Sequence, residues 1–124
     1  WWTRDRYIQV MLGHTTAEAL LAEEATRTLT SEEECRVLTL LEAQVQRQRM
    51  FTSCAFFWDD PNRLEARDSL FAVARAIDLV RQATGVSLQG RFEKDISQVV
   101  SPYGGRNGVD IYHSVSRVTL ARCA

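Results

Sequence analysis

Thr30-Ser31-Glu32-Glu33-Glu34 opens the stretch that decides the fold class. A Thr or Ser followed three residues later by Glu is a capping box, in which each partner satisfies a backbone N–H left free by the first helical turn. Thr30 with Glu33, or Ser31 with Glu34, fits this pattern. Three glutamates in the first turn also complement the helix dipole. Val37, Leu38, Leu41 and Val45 follow at helical spacing, and no Gly or Pro occurs from Thr30 to Asp60. The spacing predicts a helix running to Phe51 with these four residues on its buried side.

Upstream, Thr3 to Leu12 carries Tyr7, Ile8, Met11 and Leu12 at the spacing of one helical face, and Gly13 suits the position past a C-cap. Thr15 with Glu18 reads as a second capping box, opening a short helix with Leu20, Leu21 and Ala25 inward. Downstream, Asp60-Pro61-Asn62 marks a boundary. Asp60 is placed as an N-cap with Pro61 as the first helical residue; Asn62 paired with Glu65 is the alternative. Leu64, Leu70, Phe71, Val73, Ala74, Ile77 and Val80 then recur at helical spacing, and Gly85 closes that helix. Ser87 to Val100 is a weaker helix, with Leu88, Phe92, Ile96, Val99 and Val100 as its apolar positions and Gly90 counting against it. Ser101 to Gly108 is a loop. Asp110 is expected to cap a last helix with Ile111, Val115 and Val118 inward. No period-2 run has turn chemistry on both sides. The expected fold is all-α, an antiparallel bundle of about five or six helices in one domain over residues 1–124.

Composition narrows the function. The 124 residues are 45% hydrophobic and 25% charged, which suits a folded globular domain and argues against disorder. A net charge of -1 lacks the basic excess that marks a nucleic-acid partner. No apolar run approaches a membrane span, and Trp1-Trp2 is followed at once by Arg4, Asp5 and Arg6, unlike a signal peptide. The three cysteines, Cys35, Cys54 and Cys123, have no metal-type spacing and suggest no disulfide framework, so a cytoplasmic setting without metal or cofactor is expected. Lys94 is the only lysine, a bias that points to a GC-rich bacterial genome. The ends, Trp1 and Ala124, read as those of a segment excised from a larger protein.

The candidate site is Phe51-Thr52-Ser53-Cys54-Ala55-Phe56-Phe57-Trp58-Asp59-Asp60, aromatics and acids at a helix-to-helix junction. One reading is a core plug, with Phe56 and Phe57 buried and the acids capping. The other is a ligand-facing rim, with Trp58 as an apolar platform and Asp59 as a hydrogen-bonding group. Adjacent carboxylates project in different directions, so Asp59 and Asp60 do not make the acid pair of a glycosidase. Cys54 is expected to be a buried, inert thiol; a Cys54-dependent enzyme or redox sensor using His14 or His113 is the alternative. Gly104-Gly105-Arg106-Asn107-Gly108 lacks phosphate-loop spacing and reads as a flexible turn; Arg106 reaching a polar ligand is the alternative.

Several stretches in order carry a resemblance: Arg4 to Ile8, Leu40 to Met50, Thr52-Ser53-Cys54, the aromatic run ending in Asp59-Asp60, Ala72 to Ile77, Gly105-Arg106 and Asp110-Ile111-Tyr112. Together they resemble the uncharacterised helical domain that follows the catalytic domain in a subset of glycoside hydrolase family 57 proteins. The sequence departs from that pattern at Ala55, where Gly is usual, and at Phe56, where Trp is usual; Trp58 comes two residues later. The resemblance implies an accessory domain that packs beside a catalytic barrel of the same parent chain and lines an α-glucan cleft. The substrate-binding candidates are then Cys54, Phe56, Trp58, Asp59 and Arg106, and the resemblance implies an isolated chain without catalysis. A purely structural or oligomerisation bundle with no ligand is the alternative.

Overall fold

A computed structural model describes residues 1–116. Six α-helices follow in order: α1 (Trp2–Met11), α2 (Ala17–Glu24), α3 (Ser31–Arg49), α4 (Leu64–Thr84), α5 (Gln89–Ile96) and α6 (Gly108–Ser116). A single 3-10 turn, Ser53–Phe56, lies between α3 and α4. The described residues form no sheet, only one isolated antiparallel bridge between Val100 and Asn107. The all-α expectation is met. Val118 and Cys123 lie outside the described residues.

α3 begins at the capping box of Thr30 and Glu33; the Ser31 alternative is not used. Thr30 Oγ1 accepts from the Glu33 N–H at 3.3 Å, and Glu33 Oε2 accepts from the Thr30 N–H at 2.9 Å. Arg27 clasps the same carboxylate, its two terminal nitrogens 2.9 and 2.5 Å away. These contacts, Arg27 first, hold the Glu33 carboxyl at about 2, below its ordinary 4.5. The lowered folded value means that the box contributes stability above about pH 4.5. That contribution is lost as pH falls toward 2. Glu33→Gln is therefore expected to flatten the pH dependence of stability across that window, measured as the urea midpoint at pH 6 and pH 3. An unchanged slope would refute the role given to this carboxylate.

α3 and α4 run antiparallel and form the spine. At one end Arg36 Nε donates to the Ala83 carbonyl at 3.0 Å, and at the other Thr52 Oγ1 meets Ser69 Oγ at 3.3 Å. α1 and α2 pack against the α3 side, where Tyr7, Leu20 and Leu41 form a buried cluster flanked by Val10, Val37, Leu38 and Val45. Arg6 pairs with Glu23 and Glu24 to tie α1 to α2. α6 packs on α4, burying Ile111 and Tyr112. α4 ends at Gly85, whose φ of 74° is the left-handed cap that a side chain disfavours.

Several expectations shift. On α1 only Tyr7 is buried, while Ile8, Met11 and Leu12 are exposed. Tyr7 and Val10 make a second i, i+3 stripe beside theirs, and packing chose that one. Thr16, not Thr15, caps α2, accepting from the Ala19 N–H at 3.1 Å. α4 starts at Leu64, with Arg63 at the N-cap and no side-chain cap. Asp60 does not cap it: Asp60 Oδ1 accepts from the Asn62 N–H at 2.9 Å and closes a separate turn. α5 stops at Ile96, because Val99 and Val100 leave to meet the strand-like Arg106–Gly108 segment. Asn107, not Asp110, opens α6, its Oδ1 accepting from the Val109 N–H at 2.8 Å. No described helix is long and apolar enough to cross a membrane.

Candidate functional site

The junction between α3 and α4 is open to solvent. Phe51, Phe56, Phe57 and Trp58 are exposed, Phe57 at 77%, which overturns the core-plug reading. The cause is local. The 3-10 turn Ser53–Phe56 is too short to present a continuous buried face, and its four residues include none that is buried. Phe57 meets Trp58 edge-on at 5.0 Å between ring centres. The Arg63 guanidinium lies over the Trp58 ring at 4.2 Å, which holds the indole in place.

The Ser101–Gly108 loop folds back onto this junction. It is not a free turn: Ser101 is buried, its N–H donates to the Arg106 carbonyl at 2.9 Å, and the Gly105 N–H donates to the Ser101 carbonyl at 3.1 Å. Tyr103 Oη donates to Asp59 Oδ2 at 3.5 Å. Arg106 donates to Asn62 Oδ1 at 3.3 Å, an oxygen that also accepts from Arg67 at 3.3 Å. Thus Trp58, Asp59, Tyr103 and Arg106 sit along one seam between two segments more than 40 residues apart in sequence. Tyr103 was not picked out by sequence reasoning, although an aromatic in a glycine-rich loop is a signal, and Asn62 was picked out only as a candidate helix cap.

Cys54 is exposed on the 3-10 turn, which corrects the expectation of a buried thiol. It has no histidine beside it to serve as a base. His14 Nδ1 contacts Gln9 at 2.9 Å and His113 Nε2 contacts Glu93 at 2.8 Å. The His113 contact, then Gln89, holds the Glu93 carboxyl below its ordinary range.

Beneath the junction lies an open hollow of about 500 Å³, walled by Phe56, Trp58, Leu70, Val73, Phe92 and Ile96 among others, with Asp59 and Asp60 at its edge. A second hollow of about 350 Å³ adjoins it through the shared Met50, Val73 and Phe92. Neither is lined by Cys54 or Arg106. The structure therefore brings Phe56, Trp58 and Asp59 to one hollow, joins Arg106 to the same seam through Asn62, and leaves the exposed Cys54 out of the lining.

Fold and site define an all-α domain with a solvent-facing aromatic junction. The chain belongs to the family described as Domain of unknown function (DUF3536), which matches residues 1–123. No curated protein and no solved structure matches it.

Proposed function

We propose that this domain is an accessory part of a family 57-like carbohydrate-active protein, packing beside its catalytic barrel and lining one side of an α-glucan cleft. The observation that carries this reading is the seam itself. Aromatic rings exposed at one junction offer apolar platforms for sugar rings, and Asp59, Tyr103 and Arg106 offer hydrogen-bonding groups beside them. The resemblance noted in the sequence includes the same junction. Asp59 and Asp60 are neighbours, and Asp60 is engaged in its own turn, so these two do not make the acid pair of a glycosidase. The chemistry of the parent, hydrolysis or glucan transfer, belongs to the barrel. The exposed Cys54, without a base beside it, supports no thiol mechanism.

Isothermal titration of maltoheptaose into the domain and into the full-length parent tests the reading. Trp58→Ala and Asp59→Ala are each expected to weaken glucan binding or parent turnover several-fold. The Asp59 side chain is exposed, so the melting of Asp59→Ala should stay close to the parent value, within the roughly 0.5 kcal/mol typical of surface substitutions. Unchanged binding and turnover in both variants would refute the sugar-facing role. A large loss of stability in Asp59→Ala with full parent activity would make Asp59 structural.

A further inference from the structure

Arg67 and Arg106 converge on one neutral atom. Arg67 Nη1 and Arg106 Nη1 each donate to Asn62 Oδ1 at 3.3 Å, so the two nitrogens stand no farther apart than twice that distance. Arg106 Nη2 turns to the Asp110 carbonyl at 3.4 Å, again a neutral acceptor. Among the described residues no carboxylate forms an ion pair with either guanidinium. The nearby acids are engaged elsewhere. Asp60 Oδ1 takes the Asn62 N–H, Asp59 meets the Tyr103 hydroxyl, and Glu65 pairs with Arg63 at 3.5 Å. Two full positive charges are thus gathered over an amide oxygen that carries only a partial negative one.

Like charges repel, so the fold has to hold this pair together. It does so from two segments. Arg67 is half-buried on α4, and Arg106 stands on a loop that the Ser101 and Gly105 backbone bonds keep in place. Asn62 directly precedes Arg63, the N-cap of α4, where no side chain caps the helix, so the helix dipole adds positive potential. Guanidinium forks match the oxygens of oxyanions, and a dianion offsets two charges where a carboxylate offsets one. We propose that Arg67 and Arg106 form a binding site for a phosphate monoester, whose oxygens bridge the two guanidiniums beside Asn62. At neutral pH such a group carries about -1.5 to -2 charges, which suits the pair. The site borders the Trp58 seam but needs neither that ring nor Asp59, so the inference stands independently of the sugar reading.

The test titrates the isotope-labelled 124-residue chain with inorganic phosphate and with glucose 6-phosphate, in chloride buffer, and follows the arginine Nε–H and Asn62 signals by NMR. Saturable shifts at Arg67, Arg106 and Asn62 are expected, with Kd on the order of 1 mM. Arg106→Gln should weaken binding by about fivefold or more, and Arg106→Lys by less, since it keeps the charge and loses the fork. Arg106 is exposed on its loop, so circular dichroism is expected to show native helix content in both variants. Arg91→Gln, an exposed arginine on α5, should leave binding unchanged. Binding should also weaken as pH falls from 7 toward 5, where the phosphate gives up its second charge. Tighter binding of glucose 6-phosphate than of phosphate supports a sugar phosphate as the ligand; equal binding supports recognition of the phosphate group alone. No saturable shift at these residues overturns the proposal, as does phosphate binding insensitive to Arg106→Gln. Acetate binding as tightly as phosphate would assign the pair to carboxylates, with the same result. Maltoheptaose binding that persists without phosphate binding would overturn this site and leave the sugar reading standing.

Discussion

Replacing Leu79 by alanine is expected to destabilise the domain by about 2–5 kcal/mol, among the largest losses available to a single substitution here. Leu79 is 0% exposed on α4, the helix on which both α3 and α6 pack. Truncation removes the burial of the lost methyl groups and leaves a void that helices held on two sides fill poorly. Against a total stability on the order of 5–15 kcal/mol, such a loss lowers Tm by on the order of 10 °C. Leu64→Ala is the control, since Leu64 lies on the same helix but is 80% exposed and should change stability by less than about 0.5 kcal/mol. Urea denaturation followed at 222 nm measures both. Equal midpoints for the two variants would contradict the burial of Leu79.

Gly108→Ala should be the second large effect, for a different reason. Gly108 is the first residue of α6, and its backbone passes against the turn that ends α5. A Cβ placed there lies 2.5 Å from the Ile96 carbonyl oxygen, 2.9 Å from Ile96 Cγ1 and 3.3 Å from Val99 Cβ. The first of these is backbone, so no rotamer change relieves it. The Gly108 N–H also donates to the Val99 carbonyl at 2.8 Å, which pins the approach. Separating the two segments strains or breaks that bond, and a cost of about 1–3 kcal/mol follows. The disturbance should centre on α5, which hangs on α6, and appear as faster amide exchange at residues 96–101. A variant that melts with the parent and keeps its exchange pattern would disprove the close approach.

The site was partly legible. The aromatic run and the acids stand out in the sequence, but whether Phe56 and Phe57 plug the core or face solvent depends on whether the junction is helical. A 3-10 turn has no long face to bury, and the rings stay outside. The partners of Asp59 and Arg106 could not be read, because Tyr103 and Asn62 reach them from 44 residues away. Cys54 misled for a related reason: a small apolar thiol among aromatics suggests burial, yet the turn carries it outward.

What the sequence by itself determined is the set of features that close within one helical turn. The capping box at the start of α3, one of the two that Thr30 and Ser31 offered, and the left-handed glycine at Gly85 depend only on neighbours three or four residues away. Tertiary structure decided which of two apolar stripes on α1 is buried, because Tyr7 rather than Ile8 meets the cluster with Leu20 and Leu41. It also decided where α4 begins. Asp60 was free by local rules to cap α4, but it caps its own turn at Asn62, whose side chain is claimed by Arg67 and Arg106. And it left the α4 face of Val73, Ile77 and Val80 half-open, although the sequence spaces these residues for burial. Hydrogen bonds at helix ends are short-range, so sequence narrows a cap to neighbouring candidates, as with Thr15 and Thr16, and the folded chain selects among them. Burial is a property of two surfaces, and the second surface comes from the fold.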